Sequence, residues 1–131
     1  MDLATVLNLL DGEVLSRHAN VDRTFTVGFG ADLMSDVLTF APAGALLLTG
    51  LANPQVVRTA EMAGIGAIVL VRAKELPAET VRLAGEVGIP VVATHYTLYE
   101  ACGRLYAAGL SGIGPVAGYG TRAGVPGGLA E

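Results

Sequence analysis

Cysteine is almost missing from this chain. Cys102 stands alone among 131 residues, so no internal disulfide can form and a stapled secreted scaffold is excluded. One cysteine and two histidines are too few soft ligands for a zinc or iron–sulfur centre, and no metal or cofactor is expected. Charge is scarce as well. Only 15% of residues are charged and the net charge is −4, which argues against a nucleic-acid surface. Lys74 is the sole lysine, and no Gly-Lys-Thr or Gly-Lys-Ser step exists, so ATP-dependent phosphoryl transfer lacks its usual loop. No Gly-x-Ser-x-Gly elbow occurs either. Tryptophan is absent and the aromatic share is 5%.

What is present is aliphatic. The hydrophobic fraction is 52%, far too high for disorder, and it is made mostly of Ala, Val and Leu. That suits a tightly layered α/β core in one domain. Two uncharged runs are long enough to be tested as membrane spans. Residues 37–57 are broken by Pro42, Gly44, Gly50, Asn53 and Pro54, and residues 105–121 contain five glycines, so neither qualifies. Met1-Asp2-Leu3 lacks a basic leader, and the expectation is a cytoplasmic chain without membrane attachment.

Periodicity then places the elements. Leu3, Val6, Leu7 and Leu10 line one helical face behind an Asp2 cap, with Gly12 at the stop. A short strand follows at 13–15. Phe25, Val27 and Phe29 alternate as in a strand with one buried face, and 32–40 reads as a short helix capped by Asp32. Residues 45–49, 67–71 and 90–93 are continuous apolar strands. Between them, Asn53-Pro54 starts a helix that ends at Gly64, and Pro77 starts another that ends at Gly88. Thr97-Leu98-Tyr99-Glu100 has the form of a capping box, and the helix behind it carries Leu98, Ala101, Cys102, Leu105 and Ala108 on one stripe. Apolar strands alternating with amphipathic helices predict an α/β fold, a mostly parallel sheet with helices on both faces. From Ser111 to Glu131 glycine is dense and periodicity is lost, so 1–110 is expected to be the folded domain and 111–131 a flexible Gly-rich tail.

Open parallel sheets bind ligands beyond the strand C-termini. Thr49, Asn53, Arg72 and His95 fall there, and a helix start near an Arg and a His suits a nucleotide or another anionic metabolite. Against that stands the plain reading in which Asn53 only caps, Arg72 is solvated and His95 is a loop residue. Gly28-Phe29-Gly30 resembles a dinucleotide loop, but Leu33 occupies the third glycine position. Cys102 on a core stripe is an inert thiol in this reading.

The stretch from Asp22 to Leu38 resembles the signature of the DRTGG domain family. Asp22 and Arg23 match its leading pair, and Gly28 matches its second glycine while Val27 replaces the first. Asp32, Leu33, Ser35, Asp36 and Val37 match its helix start. The resemblance covers about residues 1–110. It implies an α/β domain similar to the N-terminal domain of HPr kinase/phosphorylase and, more distantly, to that of Mur ligases. It also implies a regulatory module that tends to dimerise, found beside CBS domains or alone. On this basis the chain is expected to be a non-enzymatic regulatory or interaction module acting as a homodimer, with a further protein partner left open. The alternative is a small-ligand sensor using Arg23, Thr49, Asn53, Arg72 and His95. Asp22, Arg23, Gly28, Asp32, Ser35 and Asp36 are expected to shape the fold.

Overall fold

The structure, a computed structural model, describes residues 1–16, 22–72 and 75–116. Five helices and five strands follow one another as α1 (Leu3–Leu10), β1 (Glu13–Val14), β2 (Gly28–Gly30), α2 (Met34–Phe40), β3 (Leu46–Thr49), α3 (Pro54–Ala63), β4 (Ala67–Leu70), α4 (Ala78–Val87), β5 (Val91–Ala93) and α5 (Leu98–Ala107). The sheet order is β1-β5-β4-β3-β2. Strands β2 to β5 run parallel, and β1 alone is antiparallel, pairing Glu13 with Ala93. This is the α/β architecture that the alternating pattern predicts.

The strands are apolar throughout because both of their faces are covered. Side chains alternate along a strand, so Leu46, Leu48, Val69 and Val92 pack beneath α1 and α5, with Leu3, Val6, Ala101 and Leu105. Leu47, Ile68, Leu70 and Val91 pack on the other side, against Val37 of α2, Val56 and Ala60 of α3 and Leu83 of α4. Each leucine buried in this way stabilises the fold by about 2 kcal/mol.

Backbone chemistry ends the helices where the sequence predicts. Gly64 and Gly88 adopt left-handed conformations after α3 and α4, with φ of 71° and 76°. At α1 the left-handed residue is instead Asp11, with φ of 48°. Gly12 serves a close approach, since a Cβ there would lie 2.9 Å from Val92 Cγ1.

Several local expectations are corrected. The segment from Asp22 does not form one regular strand. Thr24 bridges to Asp2, Phe25 N–H donates to Met1 O at 2.7 Å, and the chain bends at Thr26 before β2 begins. Phe25 therefore enters the core under α1 and α5, whereas Val27 and Phe29 pack on the opposite face. The cap of α2 falls at Leu33 rather than Asp32, because the Asp32 carboxylate is engaged elsewhere. Thr97 occupies the cap of α5 without a side-chain bond, and Glu100 accepts from Arg104 Nε at 3.2 Å, so the capping box does not form. Ala108 lies beyond α5 and is exposed. Ser111 is tied to the sheet edge, its carbonyl accepting from Gly28 N–H at 2.8 Å. Residues 117–131, most of the expected tail, lie outside the described residues, as does Lys74.

Candidate functional site

Parallel strands share a rim at their C-terminal ends, and there the loops lead into α2, α3, α4 and α5. Thr49 closes β3 at this rim. It is fully buried, its hydroxyl donates to Asp32 Oδ1 at 3.0 Å, and the same oxygen accepts from Leu51 N–H at 3.2 Å. Asp32 Oδ1 also accepts from Gly50 N–H at 2.7 Å. One carboxylate after β2 thus fixes the turn after β3. Thr94 repeats the arrangement after β5. Its hydroxyl donates to Leu10 O at 2.6 Å and accepts from Tyr96 N–H at 3.3 Å. Two strand ends are locked by a buried threonine whose oxygen both donates and accepts.

Above this floor sit the exposed groups. Arg72 has a left-handed backbone with φ of 57°, and its N–H donates to Tyr96 O at 2.8 Å. Its guanidinium reaches back over Gly50, 3.5 Å from the carbonyl oxygen, a weak contact that leaves the cation largely open. A Cβ at Gly50 would lie 2.5 Å from Arg72 Nη2, so any larger residue there would turn the guanidinium aside. Asn53 holds the cap position of α3, with Pro54 following, yet its side chain makes no cap bond. His95 is exposed in the loop after β5. The rim therefore gathers Thr49, Asn53, Arg72 and His95, with Thr49 as floor rather than surface.

Arg23 lies at the opposite rim. Its guanidinium donates to Gly66 O at 2.9 Å and Gly88 O at 3.2 Å, the carbonyls that lead into β4 and β5. Ser35 and Asp36 lie in the first turn of α2. Gly30 lets α5 approach the sheet edge, and Gly28 does the same for Leu110 just beyond that helix. A Cβ at Gly28 would lie 2.9 Å from Leu110 Cδ2, and one at Gly30 would lie 2.9 Å from Cys102 Sγ.

A second surface went unread in the sequence. The outer face of α5 carries Tyr99 and Tyr106, 88% and 70% exposed, on either side of Gly103. Their spacing of i, i+4, i+7 was the available signal. An open hollow of about 550 Å³ lies along this face, and a smaller one of about 180 Å³ adjoins it between α5, β2 and Ser111. Cys102 borders both, and burial pushes its thiol above the usual cysteine range, away from the reactive thiolate. Among the described residues no group of His, Cys, Asp and Glu could hold a metal ion, and no helix is long and apolar enough to cross a membrane.

A mostly parallel sheet, covered on both faces and closed at two strand ends by buried threonines, defines a small α/β domain. The chain belongs to the DRTGG domain family, whose match spans residues 5–108. No curated protein matches it. Among solved structures it is similar to the CBS and DRTGG domains of the regulatory region of Clostridium perfringens pyrophosphatase, complexed with the activator diadenosine tetraphosphate. That likeness has a TM-score of 0.68 at 18% identity, covering 84% of this chain and 47% of that one. The chain spans about half the length of that relative, and the likeness is one of fold.

Proposed function

We propose that this chain is a cytoplasmic, non-catalytic regulatory module that acts as a homodimer. The observation that carries this reading is the outer face of α5. Tyr99 and Tyr106 stand in solvent beside an open hollow, among exposed large apolar side chains that also include Met62, Leu33, Leu38 and Phe40 elsewhere on the described surface. Exposed apolar surface rimmed by polar residues marks an association site. The strand-end chemistry supports the absence of catalysis. Asp32 Oδ1 is engaged by Thr49 and Gly50, and the Thr94 hydroxyl by Leu10, which gives both side chains a structural role. Residues 1–110 act as the domain, with the glycine-rich 111–131 as an appendage. Sedimentation equilibrium at micromolar concentration tests the reading. Twice the monomer mass is expected, and a clean monomer overturns it.

A second reading is favoured by the open cation at the rim. Arg72, the uncapped start of α3 at Asn53 and the exposed His95 form a surface for the phosphates of a nucleotide, with Thr49 shaping its floor and Arg23 outside it. The similar regulatory region is complexed with diadenosine tetraphosphate, which makes that compound the first ligand to try. Binding is expected to raise the melting temperature of the wild type and not of Arg72→Ala. Absence of any shift across adenine and uridine nucleotides removes this reading.

A further inference from the structure

Asp32 brings more to the strand-end rim than the fold uses. Its Oδ1 accepts from both the Thr49 hydroxyl and Gly50 N–H, at 3.0 and 2.7 Å. Among the described residues no group donates to Oδ2, and the residue is exposed. An asparagine would supply the same single acceptor without adding a negative charge. Arg72 shows a matching surplus. Its backbone is left-handed, with φ of 57°, a conformation unfavourable to any residue but glycine, and its guanidinium makes only the 3.5 Å contact with Gly50 O.

The two side chains hold opposite ends of one residue. Asp32 accepts from the N–H of Gly50 and Arg72 leans on its carbonyl, so carboxylate and guanidinium stand within about 10 Å of each other. They do not pair. The ion pairs among the described residues are Arg82–Glu86 and Arg104–Glu100, each within one helix. One turn at the strand C-termini thus presents an open acceptor beside an open cation.

Resting on the nucleotide reading above, we infer that Asp32 Oδ2 is the sugar-recognising group of that site. It accepts a hydrogen bond from a ribose hydroxyl while Arg72 holds a phosphate. The ligand class is then a phosphorylated ribonucleoside with free sugar hydroxyls, not a phosphate alone. In dinucleotide-binding α/β folds an acidic residue accepts from a ribose hydroxyl in the same way. Two donors on Oδ1 hold the carboxylate in place, so Oδ2 is preorganised to accept. A bare carboxylate repels a nearby phosphate, and the hydroxyl is what makes its presence favourable.

Isothermal titration of the full chain tests this with ATP and UTP, each beside its 2′,3′-dideoxy counterpart. The proteins are wild type, Asp32→Asn and Arg72→Ala. In Asp32→Asn the amide oxygen still accepts from Thr49 and Gly50, while the outward acceptor becomes a donor. Wild type is expected to bind one ribonucleotide at least about tenfold more tightly than its dideoxy counterpart. Asp32→Asn should lose that preference, with the ribonucleotide weakened and the dideoxy compound unchanged or tighter. A carboxylate that served only the fold, or only repelled phosphate, would move both affinities together. Loss of its negative charge alone would raise them. Equal affinity of wild type for both members of a pair, or a preference that survives Asp32→Asn, overturns the sugar subsite. The nucleotide reading then still stands if Arg72→Ala abolishes binding. Absence of wild-type binding to any of these nucleotides overturns both.

Discussion

Arg23 and Gly66 lie 43 residues apart and are joined by a 2.9 Å hydrogen bond from guanidinium to carbonyl. The same guanidinium reaches Gly88 O at 3.2 Å, so one side chain ahead of β2 holds the approaches to β4 and β5. Its flat array of donors suits two carbonyls at once. Arg23→Ala should therefore cost about 2 kcal/mol in urea unfolding, from the loss of charge-assisted bonds. Arg23→Lys should recover only part of it, because a single ammonium does not span both oxygens. Any thermal shift caused by nucleotides should persist in both variants. Loss of that shift with stability unchanged would move Arg23 into the ligand site.

Asp32 ties the ends of β2 and β3 together through Thr49 and Gly50. Asp32→Ala would leave the buried Thr49 hydroxyl without its acceptor. A loss of about 2 kcal/mol is expected. Asp32→Asn should cost less, since an amide oxygen still accepts. Equal losses for the two would show that charge, and not acceptance, holds the turn. Denaturant midpoints decide between them.

These two residues also show how far the sequence could be read. The strands around Leu47, Ile68 and Val92 were legible because continuous apolar runs between helix signals have few other homes. The helix stops at Gly64 and Gly88 were legible because the left-handed backbone there favours glycine. The work of Asp32 was hidden, since local spacing makes it a cap and its real partner lies 17 residues away. Glu100 was misread as half of a capping box because Arg104, one turn on, competes for it. Of the rim residues, Asn53, Arg72 and His95 were placed correctly at strand ends, but no local pattern could show that Thr49 is sealed beneath them or that Arg23 faces the other rim. The tyrosines of α5 were passed over because amphipathic spacing sorts residues by what the core needs and is silent on what an outward ring meets.

Thr59 is 1% exposed on α3, and its hydroxyl is the one buried side-chain polar atom among the described residues with no hydrogen-bond partner. Burying a hydroxyl without a partner is costly, and valine has the same shape. Thr59→Val should raise stability by about 1 kcal/mol, read as a higher melting temperature. A lower one would mean that the hydroxyl is satisfied in solution.

Asp2 caps α1, accepting from Thr5 Oγ1 at 2.6 Å and Thr5 N–H at 2.8 Å. The Thr5 hydroxyl, followed by its N–H, holds the carboxyl below the usual aspartate range. A lowered folded pKa means that the unfolded chain takes up the proton first. The stabilisation is then complete above the unfolded value and is lost as pH falls through the folded one. Asp2→Asn keeps a capping oxygen but cannot titrate. The stability difference between wild type and Asp2→Asn should be constant near neutrality and shrink below about pH 4. A difference that grew on acidification would contradict the assignment.

Gly30 and Cys102 meet where α5 crosses the sheet edge, and a Cβ on Gly30 would stand 2.9 Å from Cys102 Sγ. Gly30→Ala must push α5 outward or turn the thiol aside, and overpacking of this kind costs about 1–3 kcal/mol. Cys102→Ala removes the obstructing sulfur and leaves room for the new methyl. The double variant should therefore be more stable than the sum of the two single changes predicts, with a coupling of about 1 kcal/mol. A thermodynamic cycle from urea unfolding gives this coupling directly. Additive effects would mean that the helix moves away as a body. In that case the close approach of Leu110 to Gly28 would be disturbed along with it.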